Sequence, residues 1–171
     1  GWGTAKRTIQ AAVDSAKPGD TVIVAPGIYG DGARITPNGQ LQNRVVVTKD
    51  VTLESRDGAE KTIILGACSP AGLSSGGCGP DAVRCIFMDR GMLKGFTLTG
   101  GATGNENKED LNNRGGGLYS PNQKNGLPIL YDCIISNNAA IRGGGAYAGT
   151  FHRCLIAHNS AQRNGGGARE T

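Results

Sequence analysis

Two neighbouring segments of this chain repeat each other without a gap. Residues 130–150 read LYDCIISNNAAIRGGGAYAGT and residues 151–171 read FHRCLIAHNSAQRNGGGARET, 21 residues each. Leu130 matches Phe151, Cys133 matches Cys154, Ile135 matches Ile156 and Asn138 matches Asn159. The glycine triplets 143–145 and 165–167 match with an offset of one residue. A third copy opens at Leu93 as LKGFTLTGGAT. An insertion over about 104–113 interrupts it, and it resumes as Arg114-Gly115-Gly116-Gly117-Leu118-Tyr119. In this copy Phe96 holds the Cys133 position and Leu98 the Ile135 position.

A period near 20 built from short apolar runs excludes most repeat folds. Two-helix repeats are longer, and a helix would not tolerate three consecutive glycines. A leucine-rich repeat needs a leucine ladder followed by a helical stretch, and neither is here. Cys133-Ile134-Ile135 and Cys154-Leu155-Ile156 read as strand. The remaining solution is an all-β solenoid, in which three short strands and three turns make one coil and coils stack about 4.8 Å apart. Like residues then pile into ladders: Leu93, Leu130 and Phe151; Phe96, Cys133 and Cys154; and Asn138 over Asn159 in a turn. The glycine triplets fit corners, where positive φ and close backbone approach are needed. Glycine supplies 29 of 171 residues, more than twice the usual share of roughly 7%. Collagen is excluded, because no glycine period of three runs through the chain and only 7 residues are proline. A flexible linker is excluded too, because 37% of residues are hydrophobic and sit in runs such as Thr21–Val24 and Arg44–Val47.

The N-terminal half reads as a cap and further strands. A short capping α-helix is expected over about 7–17. Ile9, Ala12, Val13 and Ala16 share one face, Thr8 is a candidate N-cap, and Pro18-Gly19 stops it. Trp2 is expected to pack on this helix. Strands follow at Asp20–Ala25, Val45–Val47, Val51–Leu53 and Thr62–Leu65. The expectation is one domain over 1–171 with about six coils, the last two being 130–150 and 151–171. The chain opens Gly1-Trp2-Gly3, without Met or a basic-plus-apolar leader, which reads as a processed or trimmed piece of a longer protein. Nothing after the last copy resembles a cap. If the chain ends there, end-to-end self-association through the open end is expected. No apolar run approaches the roughly 20 residues that span a membrane. Net charge is +4, with basic residues scattered and only 5% aromatic residues. That balance suits anionic partners mildly and nucleic acid poorly.

The stretch Thr8-Ile9-Gln10-Ala11-Ala12-Val13, then Pro18-Gly19-Asp20-Thr21-Val22 and Val24-Ala25-Pro26-Gly27-Ile28-Tyr29, resembles the start of the pectin-lyase-like superfamily. There this pattern is a capping helix leading into a right-handed parallel β-helix. The C-terminal copies, with Asn-x-Ala and then Gly-Gly-Gly-Ala, resemble repeats of bacterial surface and secreted β-helix proteins, including polymorphic outer-membrane proteins. The resemblance implies a secreted or cell-surface location. It leaves function open among lyases, hydrolases, esterases, adhesins and non-catalytic modules. The superfamily's catalytic patterns are not found: the chain has no Asp-Asp, His-Gly, Arg-x-Pro-x-x-Arg or Trp-x-Asp-His. No catalytic residue is assigned. The expected function is an extracellular module that binds or scaffolds, toward carbohydrate. The alternatives are a polysaccharide lyase or glycoside hydrolase with a divergent or incomplete site, and a self-assembling structural element.

Candidate site residues follow from the stacked geometry. Arg114 and Arg142 each precede a glycine triplet, and Arg163 lies one residue further back. A row of guanidinium groups on one edge could bind an acidic polysaccharide; the plain alternative is solvated turn residues. Tyr119 and Tyr147 follow the triplets and could stack on sugar rings or pack between coils. Glu106, Glu109 and Asp110 in the insertion could hold Ca²⁺. His152 and His158 read as surface or turn residues. Of five cysteines, Cys68 and Cys78 flank a Ser/Gly-rich loop and could close it as a disulfide, with Cys85 an alternative partner for Cys78. Cys133 and Cys154 read as buried thiols. There is no C-x-x-C pair to suggest zinc.

Overall fold

The computed structural model describes residues 5–104, 111–121 and 126–169. The described residues make five passes through the same three sheets. The first pass holds α1 (Ile9–Ser15), β1 (Thr21–Val24), β2 (Gly27–Tyr29), β3 (Arg34–Ile35) and β4 (Gln42–Val47). The second holds β5 (Thr52–Ser55), β6 (Thr62–Leu65) and β7 (Val83–Met88). The third holds β8 (Met92–Lys94), β9 (Thr97–Thr99) and β10 (Leu118–Tyr119). The fourth holds β11 (Ile129–Tyr131), β12 (Ile134–Ser136), β13 (Ala139–Arg142) and β14 (Ala146–Tyr147). The fifth holds β15 (Thr150–His152), β16 (Leu155–Ala157), β17 (Ser160–Asn164) and β18 (Ala168–Arg169).

Sheet A runs β1-β5-β8-β11-β15, sheet B runs β2-β6-β9-β12-β16, and sheet C runs β3-β4-β7-β10-β14-β18. Every pairing is parallel except β3 with β4. Each sheet sends one row of side chains into a shared core. Val22, Leu53, Leu93, Leu130 and Phe151 form the row of sheet A. Tyr29, Ile64, Leu98, Ile135 and Ile156 form that of sheet B. Val45, Ile86, Leu118, Ala146 and Ala168 form that of sheet C. The central members are fully buried, each side chain contributing about 1.5–3 kcal/mol by leaving water.

Five passes stand where about six were expected. Thr21, Thr52, Met92, Ile129 and Thr150 pair in one row, yet only the last step has the length of the repeat. The earlier steps carry long loops, including the 3₁₀ turns Pro70–Ser75 and Leu111–Asn113. Loop closure costs little more as a loop lengthens, so unequal passes still stack evenly.

The capping helix is shorter than 7–17. Thr8 Oγ1 accepts the Ala11 N–H at 3.1 Å, and Ile9 and Val13 enter the core. Ala16 is already extended, one residue before Lys17, which Pro18 biases away from helix. The helix also covers a strand edge. Gln10 Oε1 accepts the Val46 N–H at 2.7 Å, and Gln10 Nε2 donates to the Val46 carbonyl at 3.1 Å. A side-chain amide thus replaces the neighbouring strand that β4 lacks there.

The expected asparagine ladder is present and carries backbone bonds. Asn138, 1% exposed, accepts the Gly101 N–H at 2.8 Å and donates to the Leu98 carbonyl at 2.9 Å. Asn159 Oδ1 accepts from both the Asn138 backbone N–H and its side-chain amide, each at 3.0 Å. Asn138→Ala leaves buried groups of the pass below unpaired, so a loss of about 2 kcal/mol is expected in urea unfolding. Asn159→Ala, at a half-buried position, is expected to cost less.

Candidate functional site

The arginine row is broken by a bulge. Arg114 and Arg142 do stack in a parallel bridge. Between β13 and β17 the register then slips: Ala140 faces Ala161 but Arg142 faces Asn164. Asn164 therefore takes the ladder position and Arg163 becomes the extra residue, which absorbs the one-residue offset of the glycine triplets.

The tyrosines are not a solvent surface. Tyr119 is 1% and Tyr147 5% exposed. They pack edge-to-face on each other, and Tyr119 does so on Phe87, with ring centroids 5.8 Å apart in both pairs. Val46 and Ala148 complete this second core on the outer side of sheet C, with Leu111 and Leu127 laid over it. The Arg114 guanidinium lies 4.8 Å from the Tyr147 ring centre and Arg84 the same distance from Tyr119. Of the two readings of these tyrosines, packing between passes is the one observed. The expected sugar-stacking ladder is corrected accordingly, because a buried ring offers a ligand no face.

The remaining expected positions are placed as follows. Glu106, Glu109 and Asp110 lie outside the described residues, as does Trp2. Cys68 and Cys78 are free thiols, so the expected bridge is not formed. Cys78 is buried, with Thr103 Oγ1 donating to its sulfur at 3.7 Å, while Cys68 is exposed. Cys85 is also free and buried, and burial pushes its thiol up to about 12. His158 sits in a turn with φ 55°.

A different surface gathers exposed polar side chains. Because Leu93, Leu130 and Phe151 point inward, the next residue on each strand points outward. This puts Glu54, Lys94, Tyr131 and His152 in one row on the outer face of sheet A. Lys94 Nζ contacts Glu54 Oε1 at 2.7 Å. The Tyr131 and His152 rings stack with centroids 4.6 Å apart and planes 14° apart. Arg153 binds Asp132 through two bonds of 2.8 Å and its guanidinium lies 5.7 Å from the Tyr131 ring centre. The hydrogen bond and charge of Arg153 lower the Asp132 carboxyl below the usual range, and those of Glu54 raise Lys94. Asp132, Arg153 and Lys94 stay ionised over the neutral range. Alongside runs a groove of about 350 Å³ lined by Thr52, Arg90, Met92, Leu127 and Ile129. The repeat marks this row only indirectly, since every residue beside an inward ladder member must face out.

A second cavity, of about 320 Å³, opens between α1 and β2–β4, with Arg7, Tyr29, Arg34 and Arg44 on its walls. Arg34 is held by Asp14 at 2.7 Å and Arg44 by the Leu65 and Gly32 carbonyls at 2.7 Å. Among the described residues, no group of three or more His, Cys, Asp or Glu is gathered as a metal site. No described helix is long and apolar enough to cross a membrane. In comparisons with protein-family models, curated proteins and solved structures, none matches this chain.

Proposed function

We propose that the chain is a right-handed parallel β-helix of the pectin-lyase-like kind, acting as an extracellular or cell-surface module that binds an extended carbohydrate polymer. Three inward ladders that run through all five passes in the same order support the fold, as does the short helix over the first pass. The binding reading is carried by one observation, the row Lys94, Tyr131 and His152 on three successive passes of sheet A. The Tyr131 and His152 rings stack on adjacent strands of this outer face, and the neighbouring groove offers an apolar wall from Met92 and Ile129. Rings that carry polar atoms, beside apolar walls, suit a sugar chain laid along the stacking direction. Glu54 and Asp132 balance Lys94 and Arg153, so the surface favours hydroxyl groups over a dense row of carboxylates. The favoured ligand is therefore a neutral or sparsely charged polysaccharide, in place of the polyanion that an arginine row would select.

Affinity electrophoresis through gels containing a β-glucan, a mannan, alginate or polygalacturonate tests this. Retardation is expected to be strongest with a neutral polymer. The double variant Tyr131→Ala, His152→Ala is expected to bind about tenfold more weakly, equivalent to about 1.4 kcal/mol. Retention by no polymer, an unchanged double variant, or strongest binding to polygalacturonate would each overturn the reading. So would depolymerisation of the retained polymer, which would make the chain an enzyme.

A further inference from the structure

Cys133 and Cys154 hold the same position on the fourth and fifth passes, each one residue ahead of the register pair Ile134 and Leu155. The third-pass equivalent is Phe96, so no third sulfur joins the stack. Cys133 is 1% exposed within the shared core, and Cys154 is half-buried against it. Both sulfurs turn toward backbone carbonyls. Cys133 Sγ lies 3.2 Å from the Tyr131 oxygen, and Cys154 Sγ lies 3.4 Å from that of His152 and 3.5 Å from that of Leu130. Neighbouring strands lie about 4.8 Å apart, inside the roughly 4.4–6.8 Å between Cα atoms that a disulfide spans.

We propose that Cys133 and Cys154 form a thiol–disulfide exchange site whose co-reactant is a low-molecular-weight disulfide and whose product is a covalent bridge between the fourth and fifth passes. Cys154, the more accessible sulfur, attacks as thiolate. Its sulfur bonds to one sulfur of the small disulfide and the other leaves as a thiolate. Cys133 then loses its proton to solvent and attacks Cys154 Sγ. The bridge closes and the second small thiolate leaves. Two protein thiols are oxidised and one small disulfide is reduced to two thiols.

The electrostatics assign the same order. The neighbouring Cys133 thiol holds Cys154 below the usual thiol range, against its partial burial. The same neighbour, together with burial, raises Cys133. The charged groups around the pair are Asp132, which opposes the Cys154 thiolate, and Arg153, bound to Asp132, which favours it. The site is independent of the carbohydrate reading.

The test is to treat the reduced protein with oxidised glutathione, alkylate it, and map tryptic peptides by mass spectrometry without reduction. Peptides 125–142 and 154–163 are expected to appear joined, two hydrogens lighter than their sum. Melting is expected to rise by roughly 5 °C. Cys133→Ser is expected to stop at the glutathione adduct on Cys154, and Cys154→Ser to give neither adduct nor bridge. The first step is expected to be half-maximal below the roughly 8.5 of an ordinary thiol, because the neighbouring Cys133 thiol lowers Cys154. Absence of the joined peptides from the unmutated protein overturns the proposal. So does a bridge confined to Cys68 and Cys78, or a reactivity midpoint above about pH 8.

Discussion

Arg84→Met is expected to lower stability by about 3–5 kcal/mol and to expose the segment 111–121 to proteolysis. Arg84 is fully buried on β7. Its Nη1 donates to Asn43 Oδ1 at 2.8 Å and Thr36 Oγ1 at 3.1 Å, both on the first pass. Its Nη2 donates to the carbonyls of Leu111 at 2.8 Å and Arg114 at 2.7 Å, and its Nε to that of Gly115 at 2.7 Å. One planar fork therefore joins the start of the fold to the segment that re-enters sheet C. Methionine fills similar volume and leaves those oxygens buried with fewer donors. Arg84→Lys keeps the charge but cannot span the same oxygens, so it is expected to recover less than half of the loss. Urea unfolding and limited trypsin digestion read both effects. A loss under about 1 kcal/mol with an unchanged digestion pattern would mean that Arg84 does not hold this segment.

Gly144→Ala is expected to cost about 3 kcal/mol, and Gly166→Ala under about 1 kcal/mol. The two glycines sit opposite each other in neighbouring triplets, next to the register pair Ala146 and Ala168. A Cβ on Gly144 would collide with the Ser160 carbonyl oxygen and meet that of Gly166 at 2.5 Å. Backbone atoms cannot swing aside as the end of a side chain can. On Gly166 the nearest atom would be 3.1 Å away. Neither glycine has the left-handed φ that Gly143 (62°) and Gly165 (68°) show, so the pair isolates close approach from backbone freedom. Equal losses in urea unfolding would show that local conformation, and not stacking, fixes these glycines.

The legible and illegible parts of the fold divide along one line. Leu130 over Phe151 and Asn138 over Asn159 could be read because the last two passes are equally long. Val22 over Leu53, or Thr52 over Met92, could not, because loops of different length separate them and leave no period to find. The strand pattern placed the Cys133 thiol inside correctly, whereas Cys154, read as buried too, is only half-buried. For Tyr119 and Tyr147 the same pattern gave the ladder without saying that Leu111 and Leu127 cover it. Arg84 is not legible in the sequence, since nothing in Val83-Arg84-Cys85 marks a buried guanidinium.

By itself, the amino-acid sequence determined the stacking: strand type, inward ladders, the asparagine turn and the need for glycine at corners. These depend on residue size and backbone freedom repeated along the chain, which are local properties. Only the tertiary structure decided which outward faces stay open. The outer side of sheet C closed over its aromatic row, and a bulge displaced Arg163. The outer side of sheet A kept Lys94, Tyr131 and His152 toward solvent. Exposure depends on what distant segments cover, and no repeat within one strand records that.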